Sequence, residues 1–136
     1  MAAPLEVYRR FQQDLLMGDF AHVAEVVDVE AYTERCEGLT DWTTGFQLAL
    51  ANYQRNVVSA LSELRGTEET VVEGAETVVI RTRYEATQSG AFLGIAPTGR
   101  HIAFEAVDIL RVADGRIVWR YLLMDLYGIE QQLRQA

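Results

Sequence analysis

The chain has 136 residues, of which 49% are hydrophobic and 24% are charged, the size and composition of one globular domain. Its 20 acidic and 12 basic residues give a formal net charge of −8, which disfavours nucleic acids and anionic membranes as partners. The sequence has no apolar run near the ~20 residues that span a bilayer, and its first residues lack the pattern of a signal peptide. We therefore expect a single domain over residues 1–136 in the cytoplasm.

The reactive residue types narrow the chemistry further. All 12 basic residues are arginine, so Schiff-base chemistry and lysine general bases are excluded. One cysteine and two histidines are too few for a structural zinc site, and a lone cysteine forms no internal disulfide. We expect no bound metal, and we interpret Cys36, which has no activating neighbour other than Arg35, as unreactive.

The first half of the sequence has the apolar period of helices. Pro4 starts a helix that ends near Gly18, and Asp19 is suited to cap a short second helix. After a loop at 36–40, a third helix begins within 41–44. Its apolar stripe has spacings of four, three, four and four residues and consists of Phe46, Leu50, Tyr53, Val57 and Leu61.

The second half has the alternation and the turn residues of β-strands. We predict strands at 67–72, 77–86, 100–112 and 116–124. A loop at 87–99 separates the second strand from the third, and a short terminal helix carries Leu126, Ile129 and Leu133. Helices first and strands afterwards indicate an α+β fold, in which a curved antiparallel sheet wraps around three helices.

Asp108 lies on the apolar face of the strand at 100–112. Every second residue of a strand faces the same way, and the other members of this face are Ile102, Phe104, Ala106, Leu110 and Val112. An ionised carboxylate there costs several kcal/mol unless it is paired or hydrogen-bonded. Asp108 is therefore a candidate general acid or base, and the alternative is a structural ion pair or a partly solvated face.

The partner of Asp108 depends on the hairpin turn that follows its strand. A two-residue turn at Asp114 and Gly115 places Asp108 opposite Tyr121, whereas a three-residue loop places it opposite Arg120. We favour the three-residue loop, because Arg120 lies among apolar residues and also needs a partner. A surface position on an edge strand is the alternative for Arg120.

Other residues near the end of the sheet have competing interpretations. Asp125 is suited to cap the terminal helix, and a position at the rim of a pocket is the alternative. Trp119 and Tyr121 are aromatic residues that we assign to a subunit interface rather than to a cavity. With Leu123 they share one face of the last strand, and an exposed apolar face of this kind predicts a homodimer.

The second half also carries a loop and a hairpin that are characteristic of one protein family. Residues 85–100 read EATQSGAFLGIAPTGR, with Pro-Thr-Gly at 97–99, and an Arg-x-x-Asp-Gly hairpin at 111–115 follows at a fixed spacing. In these motifs the chain resembles the SnoaL-like polyketide cyclases. The similarity covers residues 65–135 well and the helical half in its layout.

The resemblance implies a fold and a chemistry. The fold is the NTF2-like, or cystatin-like, α+β cone shared with nuclear transport factor 2 and ketosteroid isomerase, in which three helices and a strongly curved sheet enclose an apolar cavity. The chemistry is performed on aromatic polyketides without a bound cofactor, usually in homo-oligomers. In the cyclase branch, an aspartate on the last strand is the acid/base of an intramolecular aldol closure, and a histidine on the preceding strand assists it.

The sequence departs from that cyclase pattern at the site residues. The position of the aspartate holds Leu122, and the position of the assisting histidine holds Asp108. A second histidine near the acid is replaced by Arg120, and the loop histidine by Gln88. Because a leucine cannot transfer a proton, the sequence is more similar to the branch assigned as hydroxylases of anthracycline-type polyketides, which work beside a short-chain reductase without bound flavin, haem or metal.

We therefore expect a cofactor-independent hydroxylase of an aromatic polyketide. Asp108 would handle a proton, Arg120 would stabilise developing negative charge, and Asp125 is a third catalytic candidate. The residues expected to contact the substrate are Trp42, Gln88, Phe104, Leu122 and Met124. An aldol cyclase or related isomerase that uses Asp108, and a non-catalytic binding protein, are the alternatives. A cavity of several hundred Å³ with Asp108 in its wall favours an enzyme, and a cavity filled by side chains favours the binding protein.

Overall fold

A computed structural model describes residues 2–135 of the chain. Three α-helices pack against one six-stranded, curved sheet that does not close into a barrel, which confirms the predicted α+β fold. The helices are α1 (Pro4–Met17), α2 (Phe46–Tyr53) and α3 (Leu126–Leu133). The strands are β1 (Thr33–Cys36), β2 (Thr43–Thr44), β3 (Leu61–Glu73), β4 (Thr77–Gln88), β5 (His101–Ala113) and β6 (Arg116–Met124).

The strand order is β2-β1-β6-β5-β4-β3, and the four long strands form an antiparallel meander. The sheet is mixed rather than wholly antiparallel, because β1 pairs in parallel with β6. The sequence analysis missed β1 and β2, which are only four and two residues long and carry no alternating apolar pattern. In the described part of the chain, no helix is long and apolar enough to cross a membrane.

Helix α1 follows the prediction closely. Pro4 occupies its first turn, and Gly18 ends it in the left-handed conformation at φ 68°, where a residue without Cβ is favoured. The face toward the sheet buries Tyr8, Phe11 and Leu15. This helix therefore covers the middle of the concave side of the sheet.

The segment between α1 and β3 differs from the prediction. The expected second helix is a single 3₁₀ turn at Val23–Glu25, because Asp19 caps only a local turn at Ala21. Helix α2 begins at Phe46 rather than within 41–44, and after it the chain forms a π-helical turn, Gln54–Val58. The apolar stripe does not continue to Leu61, which instead opens β3 and pairs with β4.

The hairpin between β5 and β6 has a two-residue turn, so the predicted three-residue loop is wrong. Asp114 and Gly115 both have positive φ, 52° and 76°, as the tight hairpin turns that match strand twist require. Ala113 accordingly pairs with Arg116.

A bulge then changes the register of the same hairpin. Val112 pairs with Ile117 but Arg111 pairs with Trp119, so one extra residue of β6 is inserted between them. As a result, Asp108 lies opposite Leu122 and not opposite Tyr121 or Arg120. Sequence alone does not reveal the bulge, because the turn residues fix only the first pairs.

The concave face of the sheet, here called the inner face, carries two hydrophobic clusters. One packs the central part of the sheet against α1 and α2, with Phe11, Tyr32 and Phe46 in mutual ring contact. The other lies between the sheet and α3 and includes Phe104 and Ile129. The opposite, outer face is formed by the odd-numbered residues of β5 and by their neighbours on β6.

Candidate functional site

A buried ion pair lies between the two hydrophobic clusters. Asp108 is 0% exposed and Arg120 is 7% exposed, and the Nε of Arg120 lies 2.7 Å from Oδ1 of Asp108. The predicted pairing is therefore present, although in a different register. Arg120 stands opposite Leu110, so it reaches Asp108 along the diagonal of the inner face.

A second carboxylate completes this ion pair on the other side. Glu34 of β1 stands beside Arg120 in the parallel pairing, and its Oε1 lies 3.5 Å from Nη1 of Arg120. Tyr32 donates a hydrogen bond to the same carboxylate oxygen. Glu34 and Tyr32 were not predicted, because Glu34 lies on the unpredicted strand β1 and Tyr32 directly precedes it.

The charges of this cluster control its protonation. Burial alone would lower the pKa of Arg120, but the carboxylates of Asp108 and Glu34 hold it well above the usual range. The Tyr8 hydroxyl donates to Oδ2 of Asp108 at 3.4 Å, and burial together with the charge of Asp108 raises the pKa of Tyr8. The guanidinium also stacks 5.5 Å from the ring centre of Phe11. Arg120 is therefore a permanent, immobilised cation with two carboxylate partners.

A partly open cavity of about 50 Å³ lies next to Arg120, between α1, α2 and the inner face. Its wall has four polar side chains, which are Gln12, Tyr53, Tyr84 and Arg120. The rest of the wall is apolar and consists of Leu15, Leu16, Val57, Leu64, Phe104, Ala106, Leu122 and Met124. The cavity is smaller than the about 150 Å³ that accepts benzene in an engineered protein core.

Four of the predicted site residues reach this cavity. Arg120, Phe104, Leu122 and Met124 are in its wall. Asp108 is not in its wall and is paired with Arg120, which is. The structure therefore gives Asp108 no direct contact with this cavity, and a contact with the substrate stays a prediction.

The other three predicted site residues lie elsewhere. Asp125 is the N-cap of α3 and accepts a hydrogen bond from the backbone of Gly128 at 2.9 Å, as the capping interpretation predicted. Gln88 is fully buried, and its amide is occupied by the loop after β4, where it bonds to Ile95 and Thr98. Trp42 is 45% exposed and stacks on Trp119 at the outer face. None of the three lines the cavity: Asp125 serves as a cap, Gln88 lies on the inner face but anchors a loop, and Trp42 lies on the outer face. The structure therefore does not bring these three residues together with the cavity.

The sequence analysis missed the other polar wall residues. Gln12 donates a hydrogen bond from Nε2 to the hydroxyl of Tyr84, whose ring stacks on Phe104 with 5.5 Å between ring centres. Burial and the charge of Asp108 raise the pKa of Tyr84 to about 12. The alternation on β4 could have placed Tyr84 on the inner face, but only the packing of α1 brings Gln12 to it.

The wall is suited to donate hydrogen bonds rather than to accept protons. Among the described residues that form it, none carries a carboxylate, an imidazole or a thiol. Leu122 stands where the resemblance places the aspartate of the cyclases. Cys36 is buried near Met124, and burial raises the pKa of its thiol to about 12, so it is unreactive as predicted.

Comparisons with solved structures show the fold. A protein from Jannaschia sp. CCS1, proposed to be a SnoaL-like polyketide cyclase, is 19% identical, covers 100% of this chain and 98% of its own, and has a TM-score of 0.86. IdmH from Streptomyces antibioticus, proposed to be a polyketide cyclase, is 23% identical with a TM-score of 0.81 and coverages of 96% and 97%. AclR from Streptomyces galilaeus, proposed to be a hydroxylase, is 15% identical with a TM-score of 0.69 and coverages of 92% and 93%.

Sequence comparison gives the family. No curated protein matches the sequence with significance. The model of the SnoaL-like polyketide cyclases, however, matches residues 6–133, nearly the whole length. The chain therefore belongs to the SnoaL-like polyketide cyclase family.

Proposed function

We propose that this protein is a cofactor-independent tailoring enzyme of aromatic polyketides, and specifically a hydroxylase that works beside a short-chain reductase. The observation that carries the proposal is the replacement of an acid/base carboxylate by Leu122 in a cavity wall whose charged group is Arg120. An aldol closure needs a base that removes a proton from the carbon next to a carbonyl group. The described wall supplies donors and a cation, but no such base.

A reduced aromatic polyketide does not need that base. Its hydroquinone form is an electron-rich phenol, which transfers its proton to solvent at the partly open cavity far faster than a carbon acid does. The remaining requirement is a donor that stabilises the anion while it forms, and Arg120 is placed at the wall to act in this way. The anion then reacts with dioxygen directly.

The reaction balances with one reductant. The reductase passes two electrons from a reduced nicotinamide to the quinone, and the resulting anion adds dioxygen to form a carbon–oxygen bond. Cleavage of the oxygen–oxygen bond, at the expense of those two electrons and two protons, leaves one hydroxyl on the ring and one water. Each turnover therefore consumes one dioxygen and one reduced nicotinamide.

Within this proposal Asp108 is a positioning residue. It is fully buried, paired with Arg120 and absent from the cavity wall, so its role is to fix the guanidinium rather than to receive a proton from the substrate. Asp125 has no place in this proposal, since its carboxylate is used by the cap of α3.

The size of the cavity favours one competing function. A volume of about 50 Å³ is well below the 300–1,000 Å³ typical of sites for drug-sized ligands. A polycyclic substrate enters only if the helical side of the wall, around Tyr53 and Val57, moves outward. A non-catalytic protein that binds a small ring is the second candidate, and this volume is the observation in its favour.

Oxygen consumption tests the proposal. The protein is mixed with an anthracycline-type quinone, a short-chain reductase and reduced nicotinamide, and dioxygen and nicotinamide are followed together. We expect protein-dependent uptake in a 1:1 ratio, at least tenfold slower in Arg120→Met and Asp108→Asn and unchanged in Arg111→Met, a matched change on the outer face. No uptake, with closure of an uncyclised methyl ester instead, would establish the cyclase. Ligand binding without either reaction would establish the binding protein.

The outer face supports a further part of the proposal, a homodimer. Trp42 and Trp119 stack 5.5 Å apart, Tyr121 lies 6.2 Å from Trp42, and Leu123 beside them is 47% exposed. Trp119 and Tyr121 are half-buried and Trp42 is exposed, and partly exposed aromatic clusters of this kind are typical of subunit contacts. We therefore propose that two copies associate through it, leaving both cavities free.

A further inference from the structure

The polar groups of the cavity wall differ in whether they have bonding capacity left for a ligand. We infer that Gln12 and Tyr84 together recognise a free hydroxyl on an aromatic ring of the substrate, which makes them specificity-determining residues. The inference rests on the proposed function in taking the ligand to be aromatic. It adds the functional group that the site selects.

The geometry leaves one acceptor unused at this pair and one donor within reach of a ligand. Gln12 Nε2 donates to the Tyr84 oxygen at 2.5 Å, which directs the phenolic proton of Tyr84 away from Gln12. Among the hydrogen bonds of residues 2–135, Oε1 of Gln12 has no donor, and the Tyr84 hydroxyl also lies beside that of Tyr8, which donates its own proton to Asp108. Gln12 and Tyr84 belong to the cavity wall, so a ligand there can bind the free acceptor and compete with Tyr8 for the phenolic proton.

The other two polar wall residues are already occupied. Tyr53 donates to the backbone carbonyl of Leu15 at 3.4 Å. Arg120 faces Asp108 and Glu34 at 2.7 and 3.5 Å, so its hydrogen bonds go to the protein, and it acts on the proposed substrate anion through its charge. A polar group that orients the ligand therefore finds its partners at Gln12 and Tyr84.

A ring hydroxyl is the group that uses both partners at once. Its oxygen accepts from Tyr84, and its proton is donated to Oε1 of Gln12. A methyl ether or a ketone only accepts, so it leaves the Gln12 oxygen without a partner in a largely apolar cavity, which costs binding. The pair therefore selects a phenol or hydroquinone over its ether or quinone.

Further contacts and burial hold Gln12 and Tyr84 in position and keep Tyr84 protonated. The Tyr84 ring stacks on Phe104 at an interplanar angle of 24°, which fixes the direction of the hydroxyl. Burial raises the pKa of Tyr84 to about 12, so the phenol remains a donor at every pH at which the protein would work. Gln12 is held on the third turn of α1, whose apolar side is packed on the sheet.

Calorimetric titration of the full chain with 2-naphthol and 2-methoxynaphthalene, which both need the same outward movement of the helical wall to enter, tests the inference without turnover. We expect the wild type to bind 2-naphthol at least tenfold more tightly. Gln12→Met removes the acceptor, so the affinities for the two ligands should then differ by less than twofold. Tyr84→Phe removes the donor that both ligands use, so it should weaken both by about fivefold, the size expected for one hydrogen bond. Tyr127→Phe, which removes a hydroxyl from an exposed residue of α3, should change neither affinity.

The outcomes separate this inference from the proposed function. Equal affinity for the two ligands in the wild type, absence of binding by either, or an undiminished preference in Gln12→Met would overturn the recognition role. The preference is a ratio measured on one preparation, so partial unfolding of a variant does not imitate its loss. A retained hydroxyl preference without oxygen uptake would leave the recognition role standing and remove the hydroxylase. Oxygen uptake without the preference would do the reverse.

Discussion

The inner and outer faces of the sheet each place an arginine over an aromatic ring, with very different surroundings. On the inner face the guanidinium of Arg120 lies 5.5 Å from the ring centre of Phe11, and on the outer face that of Arg111 lies 5.0 Å from Trp119. Arg120 is buried between two carboxylates. Arg111 is exposed and takes part in no ion pair among the described residues. The arginine–aromatic contact therefore belongs to a buried ion-pair site on the inner face and to a solvated surface on the outer face. Burial strengthens the electrostatic interactions of the arginine, so we expect the inner contact to contribute more to stability.

The largest expected effect comes from removing the inner cation. Arg120→Met leaves Asp108 buried with Tyr8 as its hydrogen-bond donor, and an uncompensated buried charge costs about 3–5 kcal/mol. We expect a loss of that size in the free energy of unfolding, measured by urea denaturation at pH 7.

A double variant provides the control for this measurement. Arg120→Met combined with Asp108→Leu removes both charges of the closest pair, and we expect it to recover most of the lost stability. If the single variant were as stable as the wild type, the ion pair would be partly solvated and the contrast between the two faces would disappear.

The next effect concerns the outer face and the proposed dimer. Trp119→Ser removes the ring that contacts both Trp42 and Arg111. Aromatic residues at the centre of an interface contribute about 2 kcal/mol or more, so the dissociation constant should rise at least 30-fold. Sedimentation equilibrium measures it, with Val72→Ser, an exposed apolar residue on β3, as the control. A wild type that sediments as a monomer would exclude an interface on the outer face.

A third expected effect is a loss of stability at alkaline pH, which comes from the buried Tyr84 on the inner face. Burial raises the pKa of Tyr84 to about 12, above the usual value near 10 of an unfolded chain. The folded protein therefore holds this proton more tightly. Its contribution to stability is complete below pH 10 and is lost as the pH rises from 10 through 12, by about 1.4 kcal/mol at pH 11.

Urea denaturation between pH 8 and 11 measures this loss. Tyr84→Phe should reduce the alkaline slope, whereas Tyr127→Phe on exposed α3 should not. Spectroscopic titration of the folded protein adds a direct check, because ionisation of Tyr84 should occur with the late tyrosines. Complete ionisation of all six tyrosines in one step near pH 10 would contradict the burial of this network.

Long, regular elements were predictable from the sequence, and short ones were not. The alternation on β4 and β5 and the Asp114–Gly115 turn were sufficient to predict the meander and the α+β fold. Strand β1 was not predictable, since its four residues pair with β6 across more than 80 positions of sequence and have no pattern of their own. The stripe that ends at Leu61 favoured a longer helix, and tertiary pairing with Gln88 overrode it.

The candidate site shows the same division. An aspartate among apolar neighbours identified Asp108, and the need for a partner identified Arg120. The predicted register was nevertheless wrong, because the turn has two residues and β6 contains a bulge. Glu34 depends on the missed strand, and the contact of Gln12 with Tyr84 depends on how α1 crosses the sheet. Such contacts between distant segments leave no local signal in a single sequence.

The smallest expected effect comes from removing the arginine of the outer face, the change that corresponds to Arg120→Met on the inner face. Arg111→Met removes an exposed cation–π contact, which contributes about 0.5–1 kcal/mol, and it leaves no carboxylate unpaired. Urea denaturation at pH 7 should therefore show a loss below about 1 kcal/mol, and added salt should change it little, since the contact has no ion-pair partner to screen. The methionine retains much of the apolar stem over Trp119, so the ring stays covered. A loss as large as that of Arg120→Met would mean that the outer face is buried in the protein as it exists in solution, and measuring the loss at several protein concentrations would then show whether a second copy buries it.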